Sequence, residues 1–292
     1  MPAIEEKLRK RAGELLESGE VIEVIAWGKG RFSNQTTPLF VTDANRANDI
    51  VFNDYCVNTL GKYALSERAA GKPEGKLALC VRGCDSRAIN RMIADKQISR
   101  ENLYLLGIPC SGMKNRLNDE LLAKCAACTH RNPVVYDELL GDEIAEMSAE
   151  EARRSRFGEV EALEALSREE RLAHFSEVYD RCIRCYACRE VCPVCTCREC
   201  FVDQLRAGWQ GKQNNLNENR FYNLTRVFHI GDRCIECGEC ARACPMDLPL
   251  MEINHKWIRD LNTLFAADEE GLIDQLDNAL GRYDLHDIEE FM

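Results

Sequence analysis

The sequence predicts two parts, an N-terminal α/β domain with a small, mostly parallel sheet and a second, cysteine-rich α+β domain. Three observations predict this arrangement. Apolar segments alternate with helical segments over residues 1–135, which is typical of a parallel sheet covered by helices. A cysteine motif occurs twice between residues 180 and 250. A stretch rich in Glu and Arg at 136–179 lies between the two parts and predicts a connecting helix.

The N-terminal elements are predicted from hydrophobic periodicity. Helices are assigned where apolar residues recur every three to four positions, and strands where short apolar runs end in turn residues. The predicted elements, in chain order, are a helix at 3–18, a strand at 21–27, a helix at 44–65, a strand at 76–81, a helix at 85–97 and a strand at 102–108.

The C-terminal part contains an internal duplication. DRCIRCYACREVCP at 180–193 and DRCIECGECARACP at 232–245 share the pattern C-x2-C-x2-C-x3-C-P. In this pattern three closely spaced thiolates bind one iron–sulfur cubane, and the fourth cysteine binds the other cluster. Two copies therefore predict two [4Fe-4S] clusters. The expected ligand sets are Cys182, Cys185, Cys188 and Cys244 for the first, and Cys234, Cys237, Cys240 and Cys192 for the second. Zinc is the alternative for paired C-x2-C steps, but it does not need the third cysteine or the remote fourth.

These motifs resemble the bacterial-type dicluster ferredoxin module over residues 180–250. The resemblance implies a pseudo-twofold fold of two short hairpins and helices. The two copies are offset by 52 residues here, so the module carries an insertion at 195–231, whose aromatic residues favour a surface for a partner. Residues 251–292 are predicted to form a C-terminal helix and an acidic tail. The apolar positions expected on one helix face of that tail are Leu272, Leu276, Leu280 and Tyr283.

Four further cysteines predict a third [4Fe-4S] site in the N-terminal domain. Cys84 and Cys110 each follow a predicted strand. Because the carboxyl ends of adjacent parallel strands lie at the same edge of a sheet, these two thiols are expected to be close together. Cys125 and Cys128 form the CAAC segment shortly afterwards. The alternative is that Cys84 and Cys110 are small core residues and that CAAC is a redox pair or half of a zinc site.

The segments KLALCVRGCDSRAI, YLLGIPCSGM and KCAACTHRNPVVYDELLGDE resemble the beta-subunit family of deazaflavin-reducing hydrogenases and formate dehydrogenases over residues 20–145. In that family the beta subunit carries iron–sulfur clusters and a flavin, and passes electrons between a catalytic subunit and a soluble coenzyme. This chain differs because its cluster module follows the α/β domain and that domain is short. GKG at 28–30 is not G-x-G-x-x-G, so the residues themselves do not indicate bound FAD.

The repeat leaves Cys195, Cys197 and Cys200 unassigned. Three thiolates spaced C-x-C-x2-C would hold a fourth cluster if Cys56, Cys80 or a partner residue supplied the fourth ligand. The alternative, which we favour from the sequence, is that the three pack as buried thiols near an existing cluster, where free cysteine behaves as a small hydrophobic residue.

Composition limits the class of protein. Seventeen cysteines grouped in C-x2-C steps, in a chain without an export signal, favour metal binding over disulfides. The formal net charge of −11 excludes a nucleic-acid backbone as the expected partner. No run approaches the roughly 20 apolar residues of a membrane span, so a cytoplasmic protein is expected.

The predicted function is that of an electron-transfer subunit of an anaerobic oxidoreductase complex, rather than its catalytic subunit. The complex would be a formate dehydrogenase, a hydrogenase or a heterodisulfide-reductase-like assembly, and the chain would relay electrons through two or three [4Fe-4S] clusters. The expected partners are a catalytic subunit and other electron-transfer subunits. The alternative is a flavin-containing beta subunit that oxidises or reduces NAD(P)H or a deazaflavin coenzyme.

Overall fold

A five-stranded sheet organises the N-terminal part of the chain, with the order β2-β1-β3-β4-β5. The structure, a computed structural model, describes residues 2–69, 75–265, 269–272, 279–281 and 286. The strands are β1 Glu23–Lys29, β2 Thr36–Val41, β3 Leu77–Val81, β4 Leu103–Gly107 and β5 Glu138–Leu139. Only the β1–β2 pair is antiparallel among these strands. The mixed α/β architecture with a mostly parallel sheet is therefore confirmed.

Ten α-helices are present in the described part of the chain. They are α1 Pro2–Glu17, α2 Gly61–Ala69, α3 Gly83–Ala94, α4 Ala123–Ala126, α5 Ala149–Ala165, α6 Arg168–Asp180, α7 Ala187–Glu190, α8 Leu216–Ile230, α9 Glu239–Arg242 and α10 Leu250–Phe265. Short 3-10 turns also occur at Ala44–Asp49, Arg100–Asn102 and Ala279–Gly281.

The predicted helix at 44–65 is wrong. Only a 3-10 turn forms at its start, where the Asp43 side chain accepts from the Asn45 N–H. Ile50 then takes an extended conformation and forms an antiparallel bridge with Gly28 of β1. This bridge holds the chain beside the sheet, so the helix α2 begins only at residue 61.

The charged stretch between the two parts forms two helices, α5 and α6, where a single connecting helix was expected. The backbone is extended at Leu166, and Ser167 starts α6 by accepting from the Glu170 N–H. Glu170 bonds back to the Ser167 N–H, which completes a capping box. A capping box in the middle of the stretch therefore divides it.

The cysteine repeat recurs in the backbone as well as in the sequence. The helices α7 and α9 contain the third cysteine of each copy and are separated by the same 52 residues as the motifs. Neither copy forms the hairpin that the ferredoxin resemblance implied, since the described residues between 180 and 250 contain no strand. Residues with positive φ interrupt the extended backbone that a hairpin needs.

The insertion in the repeat is partly structural. Its helix α8 packs on α6, and Tyr222 is almost completely buried in the core of the repeat. Asn219 donates to the carbonyls of Tyr179 and Cys182. The exposed apolar side chain of Trp209 lies in the loop before this helix. The insertion therefore supports the cluster loops in addition to forming surface.

The two parts of the chain share one core. Ile235, which lies between cysteines of the second motif, is buried in the same apolar cluster as the sheet. In the C-terminal segment the Glu270 carbonyl accepts from Arg87 and its carboxylate accepts from Arg91. The helix expected in the acidic tail includes Leu276 and Tyr283, which lie outside the described residues.

Among the described residues, no helix is both long enough and apolar enough to cross a membrane.

Candidate metal centres

The eight cysteines of the repeat surround two small cavities. Each cavity is lined by three cysteines of one copy and by the last cysteine of the other copy. The first is lined by Cys182, Cys185, Cys188 and Cys244. The second is lined by Cys192, Cys234, Cys237 and Cys240. All eight are free thiols. This is the exchanged arrangement with which two C-x2-C-x2-C-x3-C-P motifs bind two cubanes.

The backbone around the two cavities has matching turns. Arg184 and Glu236 have φ values of 49° and 58°, and Tyr186 and Gly238 have φ values of 61° and 63°. Each pair is separated by 52 residues, as the cysteines are. Left-handed residues reverse the chain direction within a few positions, which lets three cysteines of one short segment line the same cavity.

Arg226, on α8, lines the second cavity and contacts Cys188 of the first. It is 5% exposed, and its Nη2 donates to the Cys188 carbonyl over 3.2 Å. Burial would lower the pKa of Arg226, but the thiols of Cys240, Cys192 and Cys188 raise it well above its usual range. Within the described residues its Nε has no hydrogen-bond partner and no carboxylate pairs with it. The residue is a buried cation among predicted ligands.

The four N-terminal cysteines meet at the carboxyl edge of the sheet. Cys84, Cys110, Cys125 and Cys128 line one cavity of about 680 Å³. The first two follow the parallel strands β3 and β4, as expected from the sequence. Cys237 of the second motif lines the same cavity. The N-terminal thiols are therefore adjacent to the second cavity of the repeat.

The chemistry of these thiols fits a metal cluster. Burial raises the pKa of Cys84, Cys110 and Cys128 above the ordinary range of a thiol. A buried thiol keeps its proton at neutral pH unless a metal replaces it. Iron–sulfur clusters bind cysteine as the thiolate, so four free thiols around one cavity match the donor set of a [4Fe-4S] cluster.

The segment that follows CAAC is held against the start of α3. A Cβ atom added at Gly83 would lie 2.1 Å from the His130 carbonyl oxygen, so only glycine allows this approach. The Val134 N–H donates to the Ser86 hydroxyl over 3.0 Å. These two contacts fix the position of Cys128 relative to the helix that carries the first ligand.

Two buried ion pairs beside this cavity were not predicted from the sequence. Arg82 Nε lies 2.9 Å from Asp85 Oδ2, and both side chains are at most 2% exposed. Lys124 pairs with Glu239, and both are almost fully buried. Burial would raise the pKa of Glu239, but Lys124 and Arg242 lower it to about 2. In the sequence, the only signal that these four residues belong to the site is that each lies close to a predicted ligand cysteine.

The three unassigned cysteines of the insertion line another cavity, of about 790 Å³. Cys197 is exposed, and Cys195 and Cys200 are partly exposed, so the expectation of three buried thiols is wrong. They lie in a loop of turns outside the core of the repeat. Cys56 and Cys80, expected as a fourth ligand, are instead buried in the core of the sheet and do not line this cavity.

The pattern of three close cysteines and a remote fourth favours clusters over single ions. In the part of the chain that the structure describes, no group of three or more His, Cys, Asp or Glu side chains is arranged to hold one metal ion. Tetrahedral zinc brings its sulfur ligands to within about 3.8 Å of one another. A cubane binds each cysteine through a different iron and therefore holds the sulfurs further apart.

Comparison with known proteins identifies relatives over most of the chain. A family model for the 4Fe-4S dicluster domain matches residues 178–248. The F420-dependent formate dehydrogenase subunit beta of Methanocaldococcus jannaschii is 25% identical over 91% of this chain and 90% of its own length. The F420-dependent formate dehydrogenase 1 subunit beta of Methanococcus maripaludis is 22% identical over the same shares of each chain, 91% and 90%.

Among solved structures, a chain from the xenon-derivatised F420-reducing [NiFe] hydrogenase complex of Methanosarcina barkeri overlaps 38% of each chain, with 14% identity and a TM-score of 0.31. An overlap of this size carries no argument about the fold or the function. The sequence relatives and the matched domain confirm the resemblance found in the motifs. The chain is a homologue of F420-dependent formate dehydrogenase beta subunits, and it contains a 4Fe-4S dicluster domain.

Proposed function

We propose that this chain is the iron–sulfur electron-transfer subunit of an anaerobic oxidoreductase complex, with a formate dehydrogenase, a hydrogenase or a heterodisulfide-reductase-like assembly as its catalytic partner. One observation carries the proposal, the exchange of Cys192 and Cys244 between the two cavities of the repeat. Exchanged ligands place two clusters side by side on shared loops. The formate dehydrogenase relatives supply the class of complex.

The protein residues hold the clusters and shield them from water. A bound [4Fe-4S] cluster supplies a centre that accepts and releases one electron. Most thiols of the repeat are shielded from water, whereas Cys185 is exposed. Those less than a tenth exposed are Cys182, Cys188, Cys192, Cys234 and Cys240. Arg226 provides a fixed positive charge close to both sites. A positive charge stabilises the additional electron of the reduced state.

The N-terminal cysteines extend the relay. We assign Cys84, Cys110, Cys125 and Cys128 to a third [4Fe-4S] cluster, because they line one cavity and remain free thiols. Cys237 lines that cavity too, so the second cluster of the repeat and the third would be neighbours in the relay. The order of transfer would be first cluster, second cluster, N-terminal cluster, or the reverse.

The proposal assigns a role to each part of the chain. Residues 1–135 would hold the third cluster, 136–179 would connect the two parts, and 180–250 would hold the dicluster. The range 251–292 would contribute α10, which packs on α8 and α9. All seventeen cysteines are free thiols. Free thiols in this number require a reducing compartment, which is consistent with the cytoplasm.

A second candidate function rests on the size of the N-terminal cavity. Its volume of about 680 Å³ falls in the range of small-molecule and cofactor sites, and Arg87 and Asn115 line it in addition to the four thiols. The relatives are named as F420-dependent. A flavin bound here would make the chain a beta subunit that exchanges electrons with NAD(P)H or a deazaflavin coenzyme.

The test is to purify the tagged chain anaerobically from its own host and to measure iron, acid-labile sulfide and released flavin per chain. We expect about twelve irons and twelve sulfides for three clusters. The co-purifying subunits are identified, and formate or hydrogen is added while the electron paramagnetic resonance (EPR) signals of reduced clusters are recorded. Reduction by either substrate is expected through the co-purified catalytic subunit.

The outcomes separate the candidates. About eight irons would remove the third cluster and leave the dicluster. Flavin in a one-to-one ratio with the chain would favour the second candidate function. A chain that purifies without other subunits, and whose clusters neither formate nor hydrogen reduces, would contradict the electron-transfer role in such a complex. The variant Cys185→Ser is the matched control, because it should change the dicluster signal alone.

A further inference from the structure

We propose that Cys195, Cys197 and Cys200, together with His229, bind a further [4Fe-4S] cluster in addition to the relay proposed above. The three thiols and the imidazole line the same cavity of about 790 Å³. None of the three cysteines belongs to the exchanged ligand sets of the repeat. The inference therefore requires only these four side chains and their surroundings.

The thiols are positioned as ligands that face a cavity. They are free, and Cys197 is exposed while the other two are partly exposed. Free cysteine without a ligand role is usually buried as a small hydrophobic residue. Three thiols within six residues on the wall of one cavity do not follow that behaviour. Their spacing, C-x-C-x2-C, places all three cysteines on the lining of this cavity.

Helix α8 supplies the fourth ligand. Tyr222, Arg226 and His229 are four and three residues apart, which places them on one face of the helix, and all three line the cavity. The ring of His229 lies 5.4 Å from that of Phe201, centroid to centroid, and Phe201 directly follows Cys200. The imidazole therefore lies next to the last thiol of the set.

His229 also differs from the histidines that bond carboxylates. Within the described residues no hydrogen bond involves its ring nitrogens, so both are available to a metal. The histidine–carboxylate pairs are His130 with Glu269, His174 with Glu252, and His255 with Glu159. A histidine with a free ring beside three free thiols completes a four-ligand set.

The charge of the cavity suits an anionic centre. Its lining contains the cationic residues Lys62, Lys96, Arg189, Arg198, Arg226 and Arg233 and the anionic residues Glu190 and Asp203. An oxidised cubane with three thiolates and one neutral imidazole carries a net negative charge, which this excess of cations stabilises. The Lys62 ammonium also donates to the Cys192 and Cys195 carbonyls over 3.0 and 3.4 Å, which fixes the start of the loop.

The position next to the repeat gives the centre a redox neighbour. The Cys195 N–H donates to the carbonyl of Cys192 over 3.3 Å, and Cys192 lines the second cavity of the repeat. The cavity of about 790 Å³ has room for a cubane, and the partly exposed loop leaves this centre accessible to a partner subunit.

The test compares two double variants in the full chain, purified anaerobically with its partners. Cys197→Ala/Cys200→Ala removes two proposed ligands and leaves Cys195 in contact with Cys192. Cys56→Ala/Cys80→Ala is the matched control, because it removes two unassigned thiols from the core. The first variant is expected to lose about four irons and four sulfides per chain, and the control none. Equal iron in the first variant and the parent chain would overturn the proposal, as would the loss of a single zinc.

The imidazole ligand has its own readout. Pulsed EPR of the reduced parent chain is expected to show coupling to an imidazole nitrogen, which His229→Ala removes. Coupling that persists in His229→Ala, or is absent from the parent chain, would overturn the assignment of His229. The dicluster signals serve as an internal reference. The dicluster signals are expected to disappear in Cys185→Ser and to survive in Cys197→Ala/Cys200→Ala. The first variant therefore tests the proposed relay, and the second tests the further cluster.

Discussion

At the scale of single residues, Arg226 shows how the fold adjusts a metal site that the motif alone defines. The motif fixes the number and spacing of thiols, but not the charge around them. Arg226 comes from the insertion between the two copies and reaches the thiols of both cavities. Its side chain is buried without a carboxylate partner among the described residues. A cation of this kind is expected to act on the electrons of bound clusters.

We predict that Arg226→Gln lowers the reduction potentials of the dicluster by roughly 50 to 100 mV, because it removes a positive charge that stabilises the reduced state. The larger shift is expected for the second cluster, since Cys240 and Cys192 of its ligand set have the largest electrostatic effect on Arg226. Potentiometric titration followed by EPR measures both. Arg220→Gln is the control on the same helix, because Arg220 bonds the Ser176 hydroxyl. Unchanged potentials in Arg226→Gln would contradict the assigned role.

Glu269 gives a second prediction at the residue scale. Burial would raise its pKa, but the His130 hydrogen bond and the charges of Arg156 and Arg87 lower it to about 2. Because the folded-state pKa is below the unfolded value, the stabilisation is complete above about pH 4.5 and is lost as the pH falls towards 2. Glu269→Gln should lower the free energy of unfolding by up to about 3 kcal/mol.

This loss should be constant between pH 7 and pH 9, where the carboxylate is ionised in both states. Anaerobic urea unfolding at several pH values measures it. Glu161→Gln, on the exposed side of α5, is the control and should change stability by less than about 0.5 kcal/mol. A penalty at Glu269 that is small, or that varies across this pH window, would disagree with a buried and ionised carboxylate.

At the scale of elements, the sequence predicts what depends on local pattern. The strands β1, β3 and β4 and the helices α1 and α3 lie close to their predicted ranges, because their apolar runs have one dominant period. The edge strand β2 was missed because it contains Pro38 and is half-exposed, and β5 because it has two residues. The helix predicted at 44–65 failed because a bridge to β1 overrides local propensity.

The same distinction applies to the candidate sites. The spacing of the cysteines in the repeat indicates which of them bind the same cluster, so these ligand sets could be predicted without the structure. The grouping of Cys84 and Cys110 required only that two parallel strands be adjacent. His229 and Arg226 could not be assigned, because α8 follows a long irregular segment whose path the sequence does not define. Side chains brought together by such segments become visible only in the folded chain.

The close contact at the start of α3 leads to an element-scale prediction. In Gly83→Ala the new methyl group would lie 2.1 Å from the His130 carbonyl, so the segment after Cys128 must move away from the helix. We expect a loss of about four irons per chain, with unchanged dicluster signals. Gly158→Ala is the control, because nothing lies within 4 Å of its Cβ position on α5, and it should raise stability by roughly 0.5 to 1 kcal/mol.

Full iron content in Gly83→Ala would show that the N-terminal thiols do not hold a cluster, or that the segment relaxes without moving Cys128. The iron content of the parent chain separates the two cases, because a parent with about eight irons holds no N-terminal cluster. Thermal unfolding then tests the close approach. A variant that keeps its iron and unfolds at a lower temperature has relaxed under strain. A variant that keeps its iron and its stability contradicts the close approach itself.

At the scale of the whole molecule, the relay depends on how firmly the two parts are joined. Glu239, in the second motif, forms a buried pair with Lys124, which precedes Cys125 of the N-terminal site. Arg242 Nη2 donates to Asn58 Oδ1 over 3.2 Å, and Ile235 is buried in the core of the sheet. The dicluster loops and the N-terminal cavity therefore share a core. If the two parts folded separately, the charged and apolar side chains that are buried between them would be exposed to water on each part.

We predict that Lys124→Met lowers the free energy of unfolding by about 1.5 to 3 kcal/mol, because the buried Glu239 carboxylate then keeps only Arg242 as a cationic partner. The double variant Lys124→Met/Glu239→Met should lose less than the sum of the two single variants, by about 1 kcal/mol or more. Lys10→Met, at an exposed position of α1, is the control and should have almost no effect.

The joined core also predicts one unfolding transition. Anaerobic unfolding followed by far-ultraviolet circular dichroism and by cluster absorbance should give coincident curves, in Lys124→Met as in the parent chain. If cluster absorbance were lost first while the sheet signal persisted, the dicluster would be an independent unit. The position of its clusters relative to the N-terminal cysteines would then vary with domain motion. Coincident curves would instead mean that the sheet and the dicluster unfold as one unit. The three proposed centres would then stay at fixed separations in the folded chain.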